Sequence, residues 1–221
     1  MPPTLHLVRH AEGPHNTAWH GEGIKDPFLT DHGREQCEEL CSQFPHHDKI
    51  ELLMASPMKR CIETCKISFQ PAVDRLQKIL LMPLAQEASD EHMDTGSSTE
   101  EIKEAFGDLV DEHRLVDVHP YWNKNIGRFG TDPTTQMERA RQLRCFIMGR
   151  QEKHVAIVSH GSFNHCITGK FKPDGTQTTR MWNNAECRSY TFDESSGEEA
   201  LIVETEESIS RRPELNEGQN N

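Results

Sequence analysis

Four positions in this chain carry side chains suited to holding and moving a phosphoryl group, and each follows a short apolar run. Arg9-His10 closes the run at residues 4–9, Arg60 lies one helical turn beyond residues 50–55, Glu87 follows 78–82, and His160 closes 154–159. The set makes chemical sense. Two arginines can grip a phosphoryl group through planar, bidentate donors and stabilise charge on its equatorial oxygens. A neutral histidine between them can attack phosphorus in line and become phosphohistidine. The departing alkoxide needs a proton, which a carboxylic acid supplies if it stays protonated near neutral pH. A second histidine can donate to the phosphoryl oxygens. No metal or other cofactor is required, and none is expected: His15, His20, Glu22 and Asp26 share a glycine-rich loop but lack ligand-like spacing.

These groups are far apart in sequence, so the elements around them must bring them together. Residues 4–9 are mostly apolar, as a central parallel strand would be. A glycine- and proline-rich loop over 11–28 follows. Thr30 then reads as an N-cap, and Cys37, Leu40, Cys41 and Phe44 form a helical stripe that Pro45 ends. Strand signals at 50–55, 78–82 and 154–159 alternate with helices over about 57–69 and 134–149, Ser56 serving as cap and Pro57 as first residue of the former. A helix is expected to start near Phe163, and residues 188–192 and 200–203 read as a hairpin turning at Ser195-Ser196-Gly197. The expectation is an α/β fold, a three-layer sandwich around a mostly parallel sheet. In such a sheet the strand ends converge on one crevice, where the four positions can meet.

Residues 1–204 are expected to form a single domain, with 88–133 as an insertion or lid containing one helix near 99–111 and 205–221 as a polar tail. The net charge of −12 argues against nucleic acid, whose backbone attracts clustered lysine and arginine. No apolar stretch reaches membrane-spanning length and no signal peptide is evident, so a cytoplasmic protein, monomer or homodimer, is expected. The seven cysteines have no disulfide-rich layout; Cys37/Cys41 and Cys61/Cys65, spaced i,i+4, read as inner-face helix residues. The aromatics Trp19, Tyr121, Trp122, Phe129 and Trp182 could floor a substrate pocket, though core packing is the better reading for each.

Several of these segments resemble one family in order. Leu7-Val8-Arg9-His10-Ala11-Glu12 with Asn16 resembles the Arg-His-Gly signature of the histidine phosphatase superfamily, the phosphoglycerate mutase-like family. Residues 29–36 resemble its Leu-Thr-x-x-Gly-x-x-Gln segment, 56–64 its Ser-Pro-x-x-Arg-x-x-Glu-Thr segment, 84–87 its Leu-x-x-Glu element and 158–161 its Ser-His-Gly element. Together they span about residues 4 to 165. The resemblance implies that His10 is the transiently phosphorylated nucleophile, Arg9 and Arg60 the phosphate clamps, His160 a further phosphate ligand and Glu87 the proton donor. It also implies that Asn16 contacts the phosphoryl group or orders its loop, and that the segment around Thr30 lines the entrance. There are departures. Ala11 stands where the family has glycine, and Gly13-Pro14-His15 stands where many members place a hydroxyl, for which His15 could substitute. Residues 88–97 resemble a fungal subgroup, with Asp90, Glu91 and Asp94 as substitute acids.

The expected activity is metal-independent hydrolysis of a small phosphorylated metabolite through phosphohistidine. Between Glu87 and Pro133 the basic residues are only Lys103, Arg114, Lys124 and Arg128, which disfavours phosphoglycerate mutase-type transfer. The same motifs are compatible with a protein phosphatase or with a catalytically inactive phospholigand-binding protein. Retention of His10, both arginines and His160 weighs against the inactive form.

Overall fold

A computed structural model describes residues 1–17, 23–118 and 121–211, with residues 117–118 as backbone only. Its centre is a seven-stranded sheet in the order β4-β3-β2-β5-β1-β6-β7. The strands are β1 Thr4–Arg9, β2 Leu52–Ala55, β3 Ile79–Leu81, β4 Val110–Asp111, β5 His154–Ser159, β6 Cys187–Phe192 and β7 Ile202–Glu204. β1 to β5 are parallel, β6 runs antiparallel to β1, and β7 pairs antiparallel with β6. The apolar residues of β1, β2 and β5 are almost all inaccessible, as strands covered on both faces must be. One layer of cover is α1 Asp31–Gln43, α2 Lys59–Ser68 and α3 Gln70–Leu76; the other is α5 Pro133–Met148 with α6 Gly161–Ile167. This is the α/β sandwich expected from the strand–helix alternation.

The strand order explains where a site must form. The chain leaves β1, builds β2, β3 and β4 outward, and then returns to insert β5 between β2 and β1. The carboxyl ends of three central strands are therefore adjacent at a switch in direction, the crevice where such sheets bind ligands. Arg9 sits opposite Ser159 in the β1–β5 register, and Ser56 just past β2 donates its backbone N–H to Val158 O at 2.8 Å.

Several elements differ from the sequence reading. Beyond the helix expected over about 57–69, a further helix, α3, starts straight after α2 with Pro71 at its second position. α2 itself begins at Lys59, and its first N–H is capped by Asp26 Oδ1 at 2.9 Å rather than by Ser56. Residues 88–133 carry more regular structure than the one helix expected there. They hold α4 Thr99–Phe106, they add β4 to the sheet edge, and they bury Trp122 and Phe129 in the main core. The expected tail begins with α7 Glu206–Arg211, where Ser208 accepts from Ser189 N at 3.0 Å and donates to Glu204 at 2.8 Å. The rest of that tail, from residue 212, lies outside the described residues, as does Trp19. Among the described residues no helix is long and apolar enough to cross a membrane.

Candidate active site

At the carboxyl ends of β1, β2 and β5 lies a cavity of about 370 Å³. Its lining includes Arg9, His10, His15, Arg60, Glu87 and Asp94. The four positions singled out by sequence thus converge, although His160 reaches the group through Arg60 and not through the cavity wall.

His10 is the residue immediately after β1. Its Nδ1–H donates to the carbonyl of Ala11 at 2.7 Å, which leaves Nε2 as the free lone pair. The ring is almost inaccessible, and its pKa is held well below the ordinary value by burial and by the charges of Arg60 and Arg9. A neutral imidazole with one committed nitrogen is the nucleophilic form. Its backbone is fixed from three sides: His10 N donates to Ser159 O at 2.9 Å, its carbonyl accepts from Asn184 Nδ2 at 3.1 Å, and Ala11 N donates to Thr64 Oγ1 at 3.0 Å.

Arg60 comes from the first turn of α2 and is fully buried. Nη2 meets Asp94 Oδ1 at 2.5 Å and donates to His160 Nδ1 at 3.1 Å, while Nη1 donates to Met93 O at 2.9 Å. Because His160 accepts at Nδ1, its proton is on Nε2, which donates to Ser56 Oγ at 2.9 Å. The His160 ring stands 5.3 Å from that of His10, and burial together with Arg60 keeps it neutral. Arg9 directs Nη1 onto the carbonyl of Trp182, and Trp182 itself is buried under Arg188.

Glu87 is half-buried between α5 and α6. Its Oε1 accepts from Ala88 N at 2.7 Å and from Phe163 N, in the first turn of α6, at 3.1 Å. With Oε1 occupied by donors, the proton of the acid form resides on Oε2. Burial and the neighbouring Asp94 carboxylate raise its pKa above the usual carboxylate range, against the opposing backbone bonds and Arg60. Behind it, the buried Arg139 donates to Glu87 O at 2.9 Å and stacks on Phe163 with 4.1 Å to the ring centroid.

The other motif residues order the loop after β1. Asn16 is exposed at the cavity, and its Oδ1 accepts from Gly13 N at 3.0 Å and from Asn184 Nδ2 at 3.3 Å. Thr30 lies outside the cavity lining: its hydroxyl caps α1 by accepting from Gly33 N at 3.0 Å and donates to Glu12 Oε1 at 2.7 Å. Gln36 accepts from Glu12 N at 2.9 Å, and Glu63 bridges Leu29 N and Arg34 Nε at 2.9 and 2.8 Å. His15 does face the site, its ring 5.4 Å from that of His10, with its pKa lowered to about 3 by burial, Arg60 and Arg9. Of the aromatics, Trp122 and Trp182 are buried in the core and Tyr121 is exposed, and none of the three lines the cavity.

The residue that sequence reasoning underrated is Asp94. It entered only as a substitute acid, yet it pairs with Arg60, accepts from the Ser89 hydroxyl, and raises Glu87. Its sole sequence signal was an acidic position in a weakly patterned segment. Among the described residues no group of three or more His, Cys, Asp or Glu side chains could hold a metal ion; Asp26 is occupied instead by Lys59 N and Ser97 N, each at 2.9 Å.

The profile of the histidine phosphatase superfamily (branch 1) matches residues 5–205, and the chain belongs to that family. It is an enzyme of the histidine phosphatase type. The chain is 31% identical over 166 residues to a Schizosaccharomyces pombe protein described as "Probable phosphatase", spanning 72% of this chain and 74% of that one. It is 28% identical over 211 residues to an Arabidopsis thaliana phosphoglycerate mutase-like protein, spanning 77% and 75%. Among solved structures it is similar to an Entamoeba histolytica phosphoserine phosphatase mutant bound to phosphoserine, with TM-score 0.57, 18% identity, and 92% and 95% of the two chains covered. A mycobacterial glucosyl-3-phosphoglycerate phosphatase complexed with VO3 superposes with TM-score 0.55 at 14% identity, covering 92% and 97%. At these identities the two structures corroborate the fold.

Proposed function

We propose that this enzyme hydrolyses a small phosphomonoester without a metal ion, by way of a phosphohistidine at His10. The observation that carries the reading is a neutral, buried His10, its Nδ1 committed to Ala11 O, set in a cavity flanked by the guanidiniums of Arg9 and Arg60. In this scheme His10 Nε2 attacks phosphorus while the P–O bond to the alcohol breaks, and Glu87 Oε2 gives its proton to the leaving oxygen. The carboxylate so formed then takes a proton from water as water attacks the phosphohistidine, releasing inorganic phosphate and restoring both groups. Arg9 and Arg60 bear the charge on the equatorial oxygens, the work a cation would otherwise do. His160 serves by fixing Arg60, Asn16 orders the loop at the phosphoryl site, and Thr30 supports that loop from α1.

Hydrolysis is favoured over mutase-type return of the phosphoryl group because the described lining holds no cation beyond the two arginines. We read residues 88–133 as the insertion that walls the site, supported by Ala88, Ser89, Met93 and Asp94 in its lining. Kinship with the fungal subgroup is supported by the identity to the S. pombe protein. A cytoplasmic monomer or homodimer that binds no nucleic acid fits the seven free cysteines and the net charge of −12. The test is a turnover panel of phosphomonoesters in chelator, with and without a bisphosphoglycerate primer. Phosphate release independent of both is expected; turnover only with added metal, or mutase activity exceeding hydrolysis, refutes the reading.

A further inference from the structure

The cavity's charge is unevenly distributed. Among the described residues its only cations are Arg9 and Arg60. Both guanidiniums are already engaged by the protein. Arg60 spends Nη1 on Met93 O and Nη2 on Asp94 and His160, and Arg9 spends Nη1 on Trp182 O. The rest of the described lining holds Glu87 and Asp94, both carboxyl groups, the methionines Met93 and Met181, and the uncharged polar side chains of Asn16, Ser89 and Ser162 beside His15. Met181 lies beside the phosphoryl clamp: a Cβ on Gly161 would meet Arg9 Nε at 3.0 Å and Met181 Sδ at 3.2 Å.

Resting on the phosphomonoesterase reading above, we propose that the site selects phosphomonoesters whose alcohol carries no second anionic group, a neutral or cationic alcohol with an apolar flank, and that Asp94 sets this selectivity. The charge balance is the reason. With Glu87 protonated, two guanidiniums and the Asp94 carboxylate leave the site with one positive charge. A dianionic phosphoryl group turns that into one negative charge, inside a partly enclosed space where screening is weak. A carboxylate or second phosphate on the alcohol would enter this field with no free cation among the described residues to meet it. An ammonium or hydroxyl would meet Asp94 and Glu87 favourably, and a methylene flank would lie on the methionines. The phosphoserine bound by the E. histolytica protein carries just such a carboxylate, for which the described lining offers no further cation.

The test uses substrate pairs that differ only in that carboxylate: O-phosphoserine against O-phosphoethanolamine, and 3-phosphoglycerate against glycerol 3-phosphate. The uncarboxylated member of each pair is expected to have a kcat/KM at least about tenfold higher. Asp94→Asn should narrow both ratios severalfold. Any loosening of Arg60 slows both members alike and cancels in the ratio, so the ratio reads charge and not structural support. Met181→Lys, at a position that is 47% exposed, should narrow the ratios independently by adding a cation at the mouth. Ratios near one or inverted, or ratios that neither variant moves, overturn the proposal while leaving the hydrolase reading intact. Failure to turn over any ester, p-nitrophenyl phosphate included, overturns both.

Discussion

Replacing Glu87 by Gln removes one proton and little else. The Gln carbonyl can accept from Ala88 N and Phe163 N as Glu87 Oε1 does, at 2.7 and 3.1 Å, and the backbone oxygen that receives Arg139 is untouched. The lost contribution is therefore general-acid catalysis, worth about 10²–10⁴-fold, or roughly 3–5 kcal/mol of transition-state stabilisation. It should fall on esters with poor leaving groups. An alkyl phosphate is expected to lose that whole factor in kcat/KM, whereas p-nitrophenyl phosphate, whose phenolate departs unaided, should lose less than about tenfold. The pH profile carries the same signature. Glu87 works only while protonated, so activity on alkyl phosphates should fall as pH rises through its raised pKa, and Glu87→Gln should abolish that alkaline limb. Steady-state kinetics on the two ester classes between pH 4 and pH 9, a window of about five units spanning the ordinary carboxylate and imidazole values, settles it. Equal losses for both classes, or an unchanged alkaline limb, would refute Glu87 as the acid.

Two further expectations concern stability. His6 is buried inside β1, bonded to Ser189 Oγ at 2.8 Å and His154 Nδ1 at 3.1 Å, and its pKa is lowered to about 3 by burial with contributions from His154 and His46. A lowered native value means that below about pH 6.5 the unfolded chain binds the extra proton, so stability falls as pH drops, by about 2 kcal/mol from this group at about pH 5. Urea unfolding over that range should show the slope flatten by one proton in His6→Gln, and parallel slopes would contradict it. Gly33 approaches the catalytic loop so closely that an added Cβ would lie 2.2 Å from Glu12 O. Gly33→Ala should therefore cost about 1–3 kcal/mol in urea melts and also reduce kcat, because Glu12 links His10 to Asn16; an unchanged midpoint and rate would show that the loop yields freely.

The parts of this molecule that were legible in the sequence are those set by local chemistry. β1 and β5 are apolar runs that end in charged or titratable residues, and Thr30 caps α1 as its position relative to Gly33 suggests. The cysteine pairs also read correctly as helix-face residues, with Cys37, Cys61 and Cys65 buried and Cys41 half-buried. What was not legible depends on contacts across the fold. β4 is two residues long and is held by pairing with β3, so no pattern announces it. α7 buries only Ser208 and docks by hydrogen bonds, which a polar composition conceals. Asp94 is 34 residues from Arg60, and Asp26 caps a helix 33 residues away. The orientation of His160, facing Arg60 and Ser56, follows from how two strand ends meet rather than from the residues flanking it.

The central claim is that His10 takes the phosphoryl group. Rapid mixing with a 32P-labelled phosphomonoester, followed by alkaline quench and peptide mapping, should find base-stable, acid-labile label on His10 and none in His10→Ala. Label on another residue, label that persists in His10→Ala, or full turnover by that variant would contradict the account.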